Sequence, residues 1–351
     1  MKSKKLFSLL TMLIISILAF ALAGCSDSES ESSSSTNDKE SKTTDTDSQY
    51  PIVIKHALGE TVIEEKPERV ATISWANQDV ALALDVVPVG FSAANYGIKD
   101  NDTGMLPWTA EKLKELGEEN PNIFQDTDGL DFEAIADSNP DVILAAYSGI
   151  TQEEYDTLSE IAPVIAYPET PWVISWRDQI LLNAKGMGME EEGKQLVADT
   201  EKLIADTAAK YPEIKGKKAA FGMFNVSDLS KFYVYTTTDP RGEMLEEVGM
   251  ETPEGIKDQI KDDAFYIELS AENADALNDT EIFVAYGDDN TLAALQADPI
   301  LGKVPAIQKG NVVIIEDNTP LAAAGNPNPL SIQYTIDEYL GLISEVAKKM
   351  K

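Results

Sequence analysis

The chain has 351 residues with 28 basic and 61 acidic side chains, so its formal net charge is −33. A surface of this sign repels nucleic acid and anionic lipid headgroups and disfavours both as partners of the folded protein. Only one cysteine and one histidine are present. Internal disulfides, bare zinc or manganese sites built from several imidazoles, and histidine-ligated haem are therefore excluded or nearly so, whereas tyrosine-ligated haem is not.

Residues 1–24 are typical of an export signal, because three lysines precede an apolar run from residue 6 to 21. The run closes on Leu22-Ala23-Gly24-Cys25, which resembles the lipobox of bacterial lipoproteins. This resemblance implies cleavage before Cys25 and a diacylglyceryl thioether on its sulfur. An uncleaved membrane helix is the weaker alternative, because the run is shorter than the roughly 20 residues that span a bilayer. We expect the protein to be held by its lipid at the outer face of the cell membrane.

Residues 25–50 form a polar segment rich in serine and acidic side chains, and they predict a disordered tether. The next apolar runs, 52–54 and 61–63, flank a glycine and predict a hairpin. The only histidine, His56, lies in this hairpin, where we expect it to face solvent. Strand and helix patterns then alternate, so that residues 51–188 predict an α/β lobe with a mostly parallel sheet.

Residues 189–211 predict one long helix. Apolar or small residues recur there every three or four positions, and Pro212 follows. About 22 residues would span about 33 Å. We interpret this helix as a stiff bridge between two lobes that limits hinge motion, with an ordinary surface helix as the alternative. Residues 212–351 then predict a second α/β lobe.

An internal repeat supports two related lobes. Residues 130–147 align without a gap on residues 269–286, with six identities in 18 positions. The identities include the pairs Glu133/Glu272 and Tyr147/Tyr286. Each copy predicts a helix, a polar turn and a buried strand that ends at the tyrosine.

Aromatic side chains near predicted strand ends or in loops are the candidate ligand-binding residues, because the carboxyl ends of parallel strands face the ligand crevice of open α/β sheets. Flat aromatic walls also suit a bulky amphipathic ligand. The candidates are Trp75, Tyr96, Trp108, Tyr147, Trp176, Tyr235 and Tyr286. Trp172 is the fourth tryptophan of the chain, and we expect one or two of the four to fill lobe surfaces instead.

Two of the three arginines, Arg177 and Arg241, add planar donors that suit carboxylate, catecholate or hydroxamate oxygens. Structural salt bridging is the competing role. If both contact ligand, their replacement by alanine weakens binding and leaves thermal stability nearly unchanged.

No catalytic arrangement is recognisable in the sequence. A Gly-x-Ser-x-Gly elbow and a glycine-rich phosphate loop are both missing, and His56 lies outside the predicted lobes. The pattern favours capture of a ligand over chemistry, with an extracellular lipoprotein hydrolase as a remote alternative.

Three segments, in this order, carry a resemblance to a known family: Lys66-Pro67-Glu68-Arg69-Val70, Gly129-Leu130-Asp131-Phe132-Glu133 and Asn139-Pro140-Asp141-Val142-Ile143. Together with the lipobox and the long helix, they resemble the iron-siderophore substrate-binding lipoproteins of ABC importers, which are relatives of the cobalamin-binding proteins. The resemblance covers residues 51–345. It implies two α/β lobes bridged by one long helix, with a ferric siderophore held between them.

The same resemblance implies the partners. In that family a glutamate on each lobe docks onto basic pockets of the permease dimer, and the matching positions here are Glu133 and Glu272. The protein would be a monomeric receptor that delivers its ligand to an ABC permease and its ATPase. It would need no cofactor, since the iron stays with the chelator. Cobalamin or haem stays open as the ligand, and the siderophore type is undetermined.

Overall fold

A computed structural model describes residues 49–99, 103–126, 128–261 and 264–350. The predicted signal peptide, Cys25 and all but the last two residues of the predicted tether lie outside these ranges. The first element is an antiparallel hairpin of β1 (Ile52–His56) and β2 (Gly59–Ile63), as the apolar runs predicted. No helix in the described ranges combines the length and apolar character needed to cross a membrane.

His56 is buried in this hairpin, so the prediction that it faces solvent is wrong. Its side chain is 8% exposed, its Nε2 lies 2.9 Å from Thr61 Oγ1, and its ring packs edge-on against Tyr155 at 5.0 Å. The hairpin turns one face, including Ile54, toward the strands of the following sheet, and His56 lies on that face. Burial lowers the pKa of the imidazole.

The first sheet has five parallel strands in the order β5-β4-β3-β6-β7. They are β3 (Val70–Thr72), β4 (Gly90–Ser92), β5 (Ile123–Phe124), β6 (Val142–Leu144) and β7 (Val164–Ile165). The helices between them are α1 (Asn77–Ala83), α2 (Pro107–Glu115), α3 (Phe132–Asp137) and α4 (Gln152–Ser159). Nearly every strand residue is buried, as expected of a parallel sheet covered on both faces.

The second sheet has the strand order β10-β9-β8-β11-β12. Its strands are β8 (Ala219–Phe224), β9 (Lys231–Tyr235), β10 (Tyr266–Ser270), β11 (Ile282–Gly287) and β12 (Val312–Glu316). The pairings of β11 with β8 and β12 are parallel, whereas β9 runs antiparallel to both β8 and β10. The predicted α/β class is confirmed, but this sheet is mixed, because residues 225–230 are too few for a parallel crossover.

The remaining helices surround the two sheets. They are α5 (Trp176–Gly186), α6 (Glu190–Ala208), α7 (Pro240–Glu247), α8 (Glu254–Lys257), α9 (Thr291–Ala297), α10 (Pro305–Lys309), α11 (Pro320–Ala323) and α12 (Pro329–Lys349). Two 3-10 helices cover Ala271–Leu277 and Leu301–Lys303.

The predicted long helix is α6, which has 19 residues and therefore a length of about 28 Å. It follows α5 and lies in the chain between the two sheets, and it packs against α5 and α12. The last helix, α12, packs against α1 and α2 as well as against β11 and β12. The chain thus passes from the first sheet to the second through α5 and the long helix α6, and the second long helix, α12, contacts elements of both halves. The predicted lobe boundaries at 188/189 and 211/212 stay predictions.

The internal repeat has a structural counterpart. In the first copy α3 leads to β6, and in the second copy the 3-10 helix Ala271–Leu277 leads to β11. Both strands lie inside their sheets, paired in parallel on both sides. Tyr147 and Tyr286 follow or end these strands at corresponding places, so the repeat brings one tyrosine to each sheet.

Candidate functional site

A cavity of about 480 Å³ opens beyond the carboxyl ends of the first sheet's strands. The strand order reverses between β3 and β6, and ligands of open α/β sheets bind at such a point. The aromatic residues that line it are Trp75, Tyr96, Tyr147 and Trp172. Asn326, which lies between α11 and α12, also lines the cavity.

Trp75 projects from a tight loop just after β3. The residues on either side of it, Ser74 and Ala76, have φ angles of 65° and 59°. Such left-handed values are strained for residues other than glycine and cluster at functional sites. The indole N–H of Trp75 is buried and has no acceptor among the described residues, so it is a donor without a partner in the protein.

Tyr147 follows β6 and lines the cavity together with Trp75. Its hydroxyl donates to Asn326 Oδ1 at 3.3 Å, and its ring meets the edge of the Trp172 ring at 5.4 Å. Burial raises the pKa of the phenol to about 12. At neutral pH the hydroxyl therefore keeps its proton and acts as a hydrogen-bond donor.

Trp172 was not among the seven aromatic candidates, although it lines the cavity. Its side chain is 51% exposed and its φ angle is 62°. Gly149 lies directly beneath it, and a Cβ at that glycine would stand 2.1 Å from Trp172 Nε1. The contact between Gly149 and the indole of Trp172 joins residues 23 positions apart, and strand and helix patterns in the sequence do not predict such a tertiary contact.

Tyr96 lines the cavity and forms hydrogen bonds with residues of the loop after β12, in the second half of the chain. Its hydroxyl donates to Asp317 Oδ1 at 2.6 Å and accepts from the backbone N–H of Asn318 at 3.2 Å. The backbone N–H of Gly97 donates to Asn318 Oδ1 at 2.7 Å. Burial, reinforced by the Asp317 carboxylate, raises the pKa of Tyr96 to about 12.

Arg241, in the first turn of α7, lies beside the tyrosines. Its guanidinium is 3.7 Å from the centre of the Tyr235 ring, which is a cation–π contact. Burial raises the pKa of Tyr96, Tyr147, Tyr235 and Tyr286, and the positive charge of Arg241 opposes the rise at each of them. The guanidinium therefore lies within electrostatic reach of four phenol groups from both halves of the chain.

Tyr235 and Tyr286 belong to this cluster on the side of the second sheet. Both rings pack edge-on against Phe221, at 5.8 Å and 4.9 Å. The Tyr286 hydroxyl donates to the backbone oxygen of Ala322 at 3.2 Å. Neither ring lines the 480 Å³ cavity itself, so their contact with a ligand stays a prediction.

The cavity carries no cationic lining. None of its described lining residues is a lysine or arginine, whereas Asp126 and Glu154 are both among them. Asp126 accepts a hydrogen bond from the Ser92 hydroxyl, and burial raises the pKa of its carboxyl group. The nearby charge of Arg241 is balanced by Asp239. The site as a whole is therefore neutral to acidic.

Six of the nine candidate residues do not line the cavity, and for the two tryptophans among them the structure corrects the sequence-based assignment. Trp108 is 3% exposed and packs in a core with α12, where its indole N–H donates to Asp79 Oδ2 at 2.8 Å. Trp176 is 2% exposed and its indole N–H donates to Glu247 at 3.3 Å. Both indoles are buried in the protein interior, because they pack against helices that are distant in sequence: α1 and α12 for Trp108, and α7 for Trp176.

Arg177 is also structural. Its Nε donates to Glu201 of α6 at 2.6 Å, and its Nη2 forms an ion pair with Glu247 of α7. Its guanidinium additionally stacks on the Trp176 ring at 4.2 Å. With its donors committed to two glutamates, this arginine ties α5 to α6 and α7 and does not reach the cavity.

Asp79 is the buried carboxylate that holds Trp108. Its exposed fraction is 0%, and its Oδ1 accepts from the Thr109 hydroxyl at 2.6 Å. Asp79 lies in the first turn of α1, and its partners Trp108 and Thr109 lie in the first turn of α2. Asn328, the N-cap residue of α12, also forms a hydrogen bond with it. Three helix N-termini thus favour its charge, yet burial raises its pKa to about 6.

Glu133 and Glu272, the predicted permease-docking pair, are both exposed. They occupy the second position of α3 and of the 3-10 helix Ala271–Leu277. Neither forms an ion pair within the part of the chain that the structure describes. Both carboxylates are therefore available to a partner.

Residues 70–319 match the periplasmic binding protein family, and the chain belongs to this family. It is a family of binding proteins and not of enzymes, so the hydrolase alternative falls away. The fold is similar to that of PiaA from Streptococcus pneumoniae TIGR4, solved in complex with ferrichrome, with a TM-score of 0.80 and 55% identity over 85% of this chain and 99% of PiaA.

Curated relatives extend this comparison. The chain is 27% identical to the probable siderophore-binding lipoprotein YfiY of Bacillus subtilis, over 66% of this chain and 67% of YfiY. It is 26% identical to the ferric enterobactin-binding periplasmic protein FepB of Escherichia coli, over 78% of this chain and 86% of FepB.

Proposed function

We propose that this protein is an extracellular receptor that captures a ferric siderophore of the hydroxamate type and delivers it to an ABC importer. The observation that carries the proposal is the cavity at the reversal of strand order, walled by Trp75, Tyr96, Tyr147 and Trp172. Aromatic walls with polar tips suit the mixed apolar and polar surface of an organic chelator.

The charge of the site favours a neutral chelate. Three hydroxamate anions balance one ferric ion, whereas tris-catecholate and citrate complexes of iron are strongly anionic. The carboxylates Asp126 and Glu154 line the cavity, and Asp239 neutralises Arg241. An anionic complex would meet repulsion there, and a neutral one would not. The ferrichrome bound by PiaA is a hydroxamate chelate, which agrees with this choice.

Iron is the cargo of this receptor, and we propose that its ligands all belong to the chelator. The phenols of Tyr96 and Tyr147 have pKa values of about 12, so at neutral pH they keep their protons and are not phenolate ligands to a metal. The same protonation disfavours haem held through either of these tyrosines. We propose that the nearby Arg241 guanidinium and the N–H of Trp75, which is buried and has no acceptor among the described residues, are the donors that meet chelate oxygens.

Delivery requires contact with the permease, and attachment requires the predicted lipid. Glu133 and Glu272 are exposed on helices that follow corresponding strands of the two sheets, and we propose that they engage the permease dimer, which works with its ATPase. The lipid on Cys25 would hold a monomeric receptor at the outer face of the cell membrane.

Quenching of tryptophan fluorescence tests the ligand class. The mature protein is titrated with ferrichrome, ferric enterobactin, ferric citrate, haemin and cobalamin at one ionic strength. Ferrichrome should bind at least about tenfold more tightly than each of the others, which corresponds to about 1.4 kcal/mol. Preference for an anionic chelate, for haemin or for cobalamin would contradict the proposal. Native mass spectrometry of protein from iron-starved cells would identify the chelator carried in the cell.

A further inference from the structure

The buried amide of Asn77 lies behind the cavity and does not line it. It is the first residue of α1, yet its side chain does not cap that helix. It points back toward the ends of β3 and β6, the two strands between which the sheet order reverses. Its exposed fraction is 0%, so its hydrogen bonds must all be made within the protein.

All of the hydrogen-bonding capacity of Asn77 is used. Its Nδ2 donates to the backbone oxygens of Ile73 at 2.8 Å and Tyr147 at 3.1 Å. Its Oδ1 accepts from the backbone N–H of Tyr147 at 3.2 Å. Since a backbone N–H only donates and a carbonyl only accepts, these partners fix which way round the amide lies.

Two amides of α5 support Asn77 from behind. Asn183 Nδ2 donates to Asn77 Oδ1 at 2.9 Å, and Gln179 Nε2 donates to the same oxygen at 3.3 Å. Gln179 Nε2 also reaches the backbone oxygen of Trp75 at 3.4 Å. Both side chains are almost fully buried.

This arrangement ties together two walls of the cavity. The bond from Asn77 to Ile73 closes the loop 73–77, whose middle residue is Trp75, and the pair of bonds to Tyr147 fixes the backbone from which that phenol projects. The strained φ angles of Ser74 and Ala76 need such a restraint, because an unrestrained loop would relax away from them.

We propose that Asn77 is a positioning residue that sets the distance between Trp75 and Tyr147 and so the ligand affinity of the cavity, with Gln179 and Asn183 holding it in place. This inference rests on the proposed function for its effect on affinity. Its effect on the position of Trp75 does not depend on any ligand.

The test uses Asn77→Asp, which keeps the shape but replaces two donated hydrogen bonds by repulsion from the oxygens of Ile73 and Tyr147. Asn311→Asp is the matched control, because Asn311 Nδ2 also donates to a backbone oxygen, that of Glu281 at 3.2 Å, but lies before β12 away from the cavity. Gln179→Met is a milder variant that removes one support from α5.

Affinity for ferrichrome should fall by about tenfold or more in Asn77→Asp, by a smaller factor in Gln179→Met, and hardly at all in Asn311→Asp. The ligand-free readout is the near-ultraviolet circular dichroism of Trp75, isolated by subtracting the spectrum of Trp75→Phe in each background. This signature should change in Asn77→Asp and Gln179→Met and persist in Asn311→Asp.

An unchanged Trp75 signature in Asn77→Asp and Gln179→Met overturns the inference, as does an equal loss of affinity in Asn77→Asp and Asn311→Asp. If the wild-type protein does not bind ferrichrome, the proposed function fails, and the circular dichroism still decides whether Asn77 positions Trp75.

Discussion

The guanidinium of Arg241 and the carboxylate of Asp239 form two parallel hydrogen bonds, from Nε to Oδ1 at 2.7 Å and from Nη2 to Oδ2 at 2.6 Å. Their side chains are 15% and 4% exposed. Asp239 also caps α7 by accepting the backbone N–H of Arg241 at 2.9 Å. The arginine beside the tyrosines is thus part of a buried pair.

Replacing Arg241 by alanine should therefore lower stability as well as affinity, contrary to the expectation from sequence. The change leaves the Asp239 carboxylate buried without a partner, which costs about 3 kcal/mol. Ferrichrome affinity should fall by about tenfold or more through loss of a charged donor. Urea unfolding and fluorescence titration measure the two effects. In the double variant Arg241→Met/Asp239→Asn, stability should recover and affinity should not; recovery of both would place Arg241 outside the binding site.

Replacing Arg177 by methionine should lower stability and leave affinity nearly unchanged. The ion pairs with Glu201 and Glu247 join α5 to α6 and α7, so their loss lowers the melting temperature. The side chain does not reach the cavity, and ferrichrome affinity should change little. Differential scanning calorimetry and fluorescence titration provide the comparison. A large loss of affinity with an unchanged melting temperature would restore the ligand-binding role that the sequence suggested.

Asp79 should give the protein a pH-dependent stability. Burial raises its pKa to about 6 from a usual 3.8, so between these values the folded state holds a proton that the unfolded state has released. The contribution of this group to the free energy of unfolding therefore falls by about 3 kcal/mol as pH rises through that window, and is constant above it. Urea unfolding at about pH 4 and pH 7 measures it.

Asp79→Asn is the comparison for that measurement, because an amide does not titrate in this range. The stability of the wild-type protein relative to the variant should be greater at the lower pH. A difference that is the same at both values would show that Asp79 is ionised in the folded protein throughout.

Reversing the charge of both Glu133 and Glu272 should abolish iron uptake and leave ligand binding intact. Both side chains are exposed and neither lines the cavity, so Glu133→Lys/Glu272→Lys should change mainly what a basic partner meets. The measurement is uptake of radiolabelled ferric siderophore by cells that express only the variant. Glu119→Lys/Glu338→Lys, at two other exposed positions, is the control. Normal uptake by the first double variant would show that docking uses another surface.

Ligand binding should change the overall dimensions of the molecule only slightly. The long helices α6 and α12 pack together, and α12 also packs against α1, α2, β11 and β12. Tyr96 and Gly97 already bond directly to the loop after β12. Small-angle scattering with and without ferrichrome measures the radius of gyration. A large compaction on binding would show that this helical link bends.

Much of the fold is predictable because its signals are local. The apolar runs around Gly59 define the hairpin, and three- and four-residue spacing with Pro212 beyond defines α6. The parallel first sheet follows from alternation of short buried strands and helices. The mixed second sheet is not predictable in this way, because the antiparallel course of β9 begins at the short loop 225–230, whereas the sequence pattern there indicates a continuing alternation of strand and helix.

The site is less predictable because its membership depends on distant partners. Trp75 and Tyr147 could be placed, since each follows a central strand of a parallel sheet and the rule for such sheets applies. Trp108 and Trp176 could not be excluded, because their acceptors, Asp79 and Glu247, lie 29 and 71 residues away in the chain. Arg177 could not be excluded either, because the two glutamates with which it forms ion pairs lie on α6 and α7.

The position of α12 has a consequence for biosynthesis. Leu330, near its start, completes a core with Phe91, Trp108 and Leu113, which belong to the first half of the chain. A nascent chain that has reached β12 still lacks Leu330, so this core of the amino-terminal half can be completed only after the start of α12 has been synthesised. Truncation at the carboxyl terminus should accordingly unfold the amino-terminal half as well.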